Sequence, residues 1–265
     1  MNRLLAIASL VVLSATLYIN FLAGTGGINN IGTGEVSGMY PTLFTPAGFT
    51  FAIWSVIYLL NTAFVVTNLY LAFRKPGCFQ APLIKLFIGI CLVNIAWIFA
   101  WHYDNILVSV FIMLAILAQL IAAFVTVQSS EEKGFSVALA KINFGVYLGW
   151  ISVATIANLS AQLSGKAQTD WGQTDVLWTW IVMATAVALA IFLLMRFKSF
   201  AYALVIAWAF YGIYSARTGQ LSEVEFQVAD AALVGIALVL LTSGYVFTRK
   251  MLSLRSSSTR PSNAA

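Results

Sequence analysis

The feature that most constrains this chain is a series of apolar runs, each near the length of a membrane crossing, spread along the whole sequence. A bilayer core about 30 Å thick needs roughly 20 apolar residues in a helix. Eight runs approach that length, at residues 4–23, 49–73, 83–101, 106–128, 135–159, 176–195, 200–216 and 229–248. Lipid offers no hydrogen bonds to the backbone, so each run is predicted to be an unbroken helix. The strands of a membrane barrel would alternate polar and apolar residues over roughly ten positions, and these runs do not. A soluble fold of 265 residues would need more polar surface than a chain 61% hydrophobic and 9% charged, with mean hydropathy +0.90. The predicted fold class is all-α, a polytopic membrane bundle of eight transmembrane helices.

Charge placement orients that bundle. With the N-terminus in the cytoplasm, Arg3, Arg74, Lys75, Lys85, Lys133, Lys141, Arg196, Lys198, Arg249, Lys250, Arg255 and Arg260 fall on the cytoplasmic side. Lys166 and Arg217 alone fall outside, which follows the positive-inside rule. Both termini are therefore expected in the cytoplasm, and the compact loops point to a prokaryotic inner membrane. The net charge of +5 comes from basic loops and the tail at 251–265, expected to be disordered. It calls for no nucleic acid; the expected partner is the lipid bilayer. Residues 1–23 read as a retained first span, because the run is long for a secretory signal and lacks a small-x-small cleavage site. Cys78 lies in a loop and Cys91 within the third span, so no disulfide is expected.

Two connections are long. Residues 24–48 are rich in Gly and Asn, and residues 160–175 mark a division of the chain. The predicted organisation is a five-helix module at 1–165, a three-helix extension at 166–250 and the tail at 251–265. The first long loop reads equally as a lid or as a connector.

Catalytic and metal chemistry find little support. No Asp, Glu, Lys, Arg or His falls in the middle of a span, which speaks against a proton relay or an ion-coupled pump. His102 is the sole histidine, so a His-based metal cluster is excluded. Asp104 is too near it in sequence for a Ser–His–acid site; an interfacial His beside a solvated Asp is expected. No phosphate loop or dinucleotide fingerprint occurs. No catalytic residue, metal ligand or resident cofactor is predicted.

The distinctive residues lie inside the spans. Positions three, four or seven apart share a helix face. Span 2 carries Trp54, Tyr58 and Asn61 on one face, and span 3 carries Asn94, Trp97 and Trp101. Span 5 carries Asn143, Tyr147, Trp150, Ala154 and Asn158. Such faces either glue helices and join the interfacial aromatic belt, or line a small-molecule cavity of rings and a few polar groups. Gly145 and Gly149, spaced as GxxxG, predict close helix packing.

Three segments together carry a resemblance: PTLFTPAGFTFAIWSVIYLL, LVNIAWIFAW and VYLGWISVATIANL. Their order and spacing resemble the signature of the translocator protein/tryptophan-rich sensory protein (TspO/MBR) family, over about residues 1–160. The resemblance implies a five-helix bundle with a ligand pocket closed by the first loop, often as a homodimer. It implies ligands that are flat and hydrophobic, tetrapyrroles such as protoporphyrin and haem or, in some members, sterols. The implied ligand-binding residues are Pro41, Pro46, Trp54, Tyr58, Asn94, Trp97, Trp101, Tyr147, Trp150, Ala154 and Asn158. Transport, sensing or regulation, and light-dependent porphyrin breakdown are the activities it brings, with a ligand-free scaffold as the remaining alternative. The chain departs from the family where Ile98 and Phe99 replace prolines and where Val153 replaces an aromatic. The segment after the fifth span has Lys166 without the Tyr of the sterol-contact pattern.

Overall fold

The computed structural model describes residues 2–78, 80–165, 173–219 and 222–258. These form α1 (Asn2–Gly24), α2 (Thr33–Gly38), α3 (Ile53–Arg74), α4 (Ala81–His102), α5 (Ile106–Gln128), α6 (Phe135–Ser164), α7 (Gln173–Phe197), α8 (Phe200–Arg217) and α9 (Glu223–Ser258), with no strand among the described residues. Seven helices are long and apolar enough to cross a membrane, and the chain is an integral membrane protein. The remaining long helix, α8, has 18 residues, a rise of about 27 Å. Its aromatic and hydroxylated residues, Tyr202, Trp208, Tyr211 and Tyr214, lower its hydropathy rather than its length.

Helix α9 continues to Ser258, so the first eight residues of the tail expected to be disordered are helical. The stretch RKMLSLRSS contains no Gly or Pro to end the helix. Lys166, Arg260 and the last part of the tail lie outside the described residues.

Five helices close a ring in the order α1, α3, α6, α5, α4 and back to α1. Helices α7, α8 and α9 pack on one another, and this group joins the ring mainly through α8 against α6. Gly145 and Gly149 make that junction. A methyl on Gly149 would sit 3.0 Å from Val205 Cβ and 3.2 Å from the Tyr202 carbonyl, and one on Gly145 would sit 3.1 Å from Ala201 Cβ. The GxxxG spacing thus lets two backbones approach as it does in other membrane helix pairs. At the end of α8, Arg217 pairs with Glu225 of α9 at 3.1 Å, and Ser222 donates to the same carboxylate at 2.6 Å.

The first long loop is packed rather than slack. Val36, Tyr40, Leu43 and Phe44 are buried, and the end of α4 fastens the loop. Asn29 Nδ2 donates to the His102 carbonyl at 2.8 Å, and Trp101 Nε1 donates to the Thr33 carbonyl at 3.3 Å. Tyr40 donates its hydroxyl to Asp104. His102, expected at the interface, is instead 2% exposed. Its Nδ1 lies 2.8 Å from the Ile98 carbonyl, and its Nε2 lies 3.3 Å from the Thr33 hydroxyl and 3.4 Å from the Ala23 carbonyl. The loop reaches His102 through Thr33 and Asn29, which the local sequence around His102 does not reveal.

Candidate functional site

The ring of five helices leaves space beneath the loop. An inner void of about 40 Å³ lies among α3, α4 and α6, walled by Trp54, Trp97, Trp101, Trp150, Ala154 and Asn158, with Tyr40, Pro46 and Phe51 from the loop and its turn. A larger, partly open vestibule of about 590 Å³ adjoins it, lined by Asn20, Thr33, Glu35, Trp54, Tyr58 and Trp97. Phe51, Trp54 and Trp97 line both spaces and stand where they meet.

Helical spacing explains the aromatic walls. Trp54 and Tyr58, one turn apart on α3, stack with centroids 5.5 Å apart and planes at 23°. Trp97 and Trp101 repeat this on α4 at 5.7 Å and 18°. Trp150 of α6 presents its edge to Phe51 at 5.7 Å and to Trp54 at 6.4 Å. Tyr40 of the loop tilts against Trp101 at 6.2 Å. Edge-to-face and offset contacts of this kind fix ring positions through the aromatic quadrupoles.

The polar groups divide into satisfied and unsatisfied sets. Asn20 of α1 donates at 2.8 Å to Asn94 Oδ1 of α4, leaving Asn94 Nδ2 without a partner among the described residues. Ser109 donates at 3.0 Å to Asn158 Oδ1, leaving Asn158 Nδ2 without a partner among the described residues. Trp97 Nε1 and Trp150 Nε1 also find none there, although both atoms are buried. An indole N–H can only donate. A buried donor with no acceptor costs free energy, and Asn94 Nδ2 and Asn143 Nδ2, on residues that line neither space, are in the same state among the described residues.

The residues singled out from the sequence therefore fall into three groups. Pro46, Trp54, Trp97, Trp101, Trp150, Ala154 and Asn158 line the inner void, and Tyr58 lines the vestibule. Asn94 and Tyr147 stand one layer back, Asn94 held by Asn20 and Tyr147 against the Trp54 ring at 6.0 Å. Pro41 is half-buried in the loop and lines neither space. The sequence reading did not name Phe51, Asn20, Thr33 or Glu35. Phe51, three residues before Trp54, and Asn20, the one carboxamide inside the first span, had usable signals. Thr33 and Glu35 had none, since a loop has no periodicity. Among the described residues no three of His, Cys, Asp and Glu come together as a metal site would require.

A family model described as TSPO-like protein matches residues 6–245. The match runs through α7, α8 and nearly all the apolar part of α9, beyond the residues that carry the resemblance. No curated protein matches the chain, and no solved structure does.

Proposed function

Since the chain belongs to the TSPO-like protein family, we propose that it binds a flat hydrophobic small molecule beneath the loop, for transport or for sensing and regulation. The ligand carries hydrogen-bond acceptors on one edge, and a tetrapyrrole is the class that fits this description best. The carrying observation is that Trp97 and Trp150 both line the inner void and keep buried indole N–H groups with no partner among the described residues.

Size assigns the parts of the ligand. The vestibule of about 590 Å³ lies within the roughly 300–1,000 Å³ typical of small-molecule sites. The inner void of about 40 Å³ holds little more than one water's share of liquid volume, about 30 Å³. A macrocycle would occupy the vestibule against Trp54, Tyr58 and Trp97. Its acceptor edge would enter the inner void and meet the indoles and Asn158. Apolar burial and ring contact would supply the affinity.

The charge bias supports an orientation with the basic loops in the cytoplasm and the 24–48 loop on the opposite face. A ligand would then enter from the outer side or the outer leaflet. The setting that fits such compact basic loops is a prokaryotic inner membrane.

Titration of the detergent-purified protein with protoporphyrin IX, followed by porphyrin absorbance, tests the reading. Trp97→Ala and Trp150→Ala are each expected to weaken binding about tenfold, from loss of ring contact and a donor. Trp180→Ala, on the exposed surface of α7, is expected to leave it unchanged. Equal affinity in all three variants and the wild type would overturn the proposal.

A further inference from the structure

The turn that leads into α3 carries two walls of the inner void, Pro46 and Phe51, and three of the residues between them, Ala47, Phe49 and Thr50, contact α8. Ala47 donates its backbone N–H to the Gly212 carbonyl at 3.0 Å. Thr50 offers its carbonyl to Trp208 Nε1 at 3.0 Å. Between them, the Phe49 ring lies 5.6 Å from Trp208 and 5.7 Å from Tyr211. Gly212 is the point of closest approach. A methyl there would stand 2.9 Å from Thr50 Cγ2 and 3.0 Å from Pro46 Cβ, and closer still to the Thr50 hydroxyl. The Thr50 side chain is the main obstacle and Pro46 a tight neighbour, so a methyl on residue 212 pushes on the turn chiefly through Thr50.

These contacts meet a physical need. The turn is a 3-10 segment, Gly48–Ala52, rather than α-helix. Backbone groups outside regular helix at membrane depth are tolerated only where protein satisfies them. Helix α8 supplies the acceptor for Ala47 and the donor for Thr50, and α8 itself stands on α6 at Gly145 and Gly149, close to Trp150.

We propose that the three-helix extension is a clamp for the ligand site, in which Gly212 and Trp208 of α8 act as positioning residues that hold Pro46 and Phe51 against the inner void. Neither residue lines the void or the vestibule. They set the ligand's affinity through the turn alone. The effect on affinity rests on the ligand reading above; the clamp itself does not.

The experiment has two arms on the full chain in detergent. In the first, amide hydrogen exchange of residues 47–52 is compared without ligand in the wild type, Gly212→Ala, Trp208→Phe and Gly212→Ala/Thr50→Ala. Gly212→Ala is expected to raise exchange about tenfold, a loosening of the size that a lost pair of backbone contacts produces. The double variant removes the Thr50 atoms that the new methyl meets and is expected to return exchange towards the wild type. Trp208→Phe keeps the ring beside Phe49 and deletes the N–H, so a smaller rise in the same peptide is expected. In the second arm, protoporphyrin IX affinity is expected to fall about tenfold in Gly212→Ala and to recover in the double variant, because ordering the turn now opposes binding.

Unchanged exchange in both single variants would overturn the clamp. Raised exchange with unaltered affinity would overturn the positioning role. A wild type that binds no porphyrin would sink the ligand reading and leave the exchange comparison to decide the clamp. If Gly212→Ala does not fold, Trp208→Phe decides both arms.

Discussion

Asn20 and Asn94 meet at 2.8 Å in an interior where few other polar side chains are available to them. In such a place a carboxamide bonded to a partner costs little, and one left alone costs the full loss of its hydration. Asn20→Leu is therefore expected to destabilise the protein by about 1–2 kcal/mol, by stranding the Asn94 amide. Asn20→Leu/Asn94→Leu is expected to be less damaging than the single change, because both polar groups leave together. Denaturant or thermal unfolding in one detergent checks the order of the three proteins. The same reasoning separates Asn94 from the void-lining residues. It ties α1 to α4. Trp97 and Trp150 keep buried N–H groups that no described residue uses, as does the Nδ2 of Asn94 itself.

At the scale of elements, the loop and the end of α4 form one unit. His102, Trp101 and Asp104 hold Thr33, Asn29 and Tyr40 at separate points, and the apolar loop side chains close over them. His102→Ala removes the central tie. Glu35 is the sole acidic residue in the 24–48 segment and is exposed. Cleavage at Glu35 by a Glu-specific protease, read by mass spectrometry, is expected to be several-fold faster in His102→Ala, and an unchanged rate would show that the loop does not depend on that tie. Elements also mark what the sequence could convey. Apolar length and the basic loops made the helices legible. The four-residue spacing made the Trp54–Tyr58 and Trp97–Trp101 stacks legible, since one turn of helix brings such rings together. Helix neighbours were not legible, because ring order depends on packing between distant segments. Phe51 carried a signal that went unread, standing three residues before Trp54 although it belongs to the 3-10 turn and not to α3. His102 read as an interfacial residue because nothing in its local sequence announces the loop folded over it. The end of α9 escaped because a basic, serine-rich stretch has the composition of a tail while lacking a residue that stops a helix.

For the whole molecule, five membrane helices form a ring around the vestibule and the inner void, and three further helices pack on it mainly from the α6 side. The vestibule under the loop and the inner void beyond it form one path bounded by Phe51, Trp54 and Trp97. A second, strongly apolar groove of about 600 Å³ lies outside the ring between α3, α6 and α8, lined by residues such as Ile53, Val146, Leu204 and Trp208. Lipid chains suit that groove, and a flat ligand with acceptors does not, because it offers almost no polar contact. The two spaces make the account decidable by location. A structure of the protein with protoporphyrin IX is the most direct measurement. The account predicts the macrocycle in the vestibule against Trp54, Tyr58 and Trp97, with its acceptor edge at Trp97, Trp150 and Asn158. A porphyrin seated in the groove beside Trp208, with the vestibule empty, would contradict it.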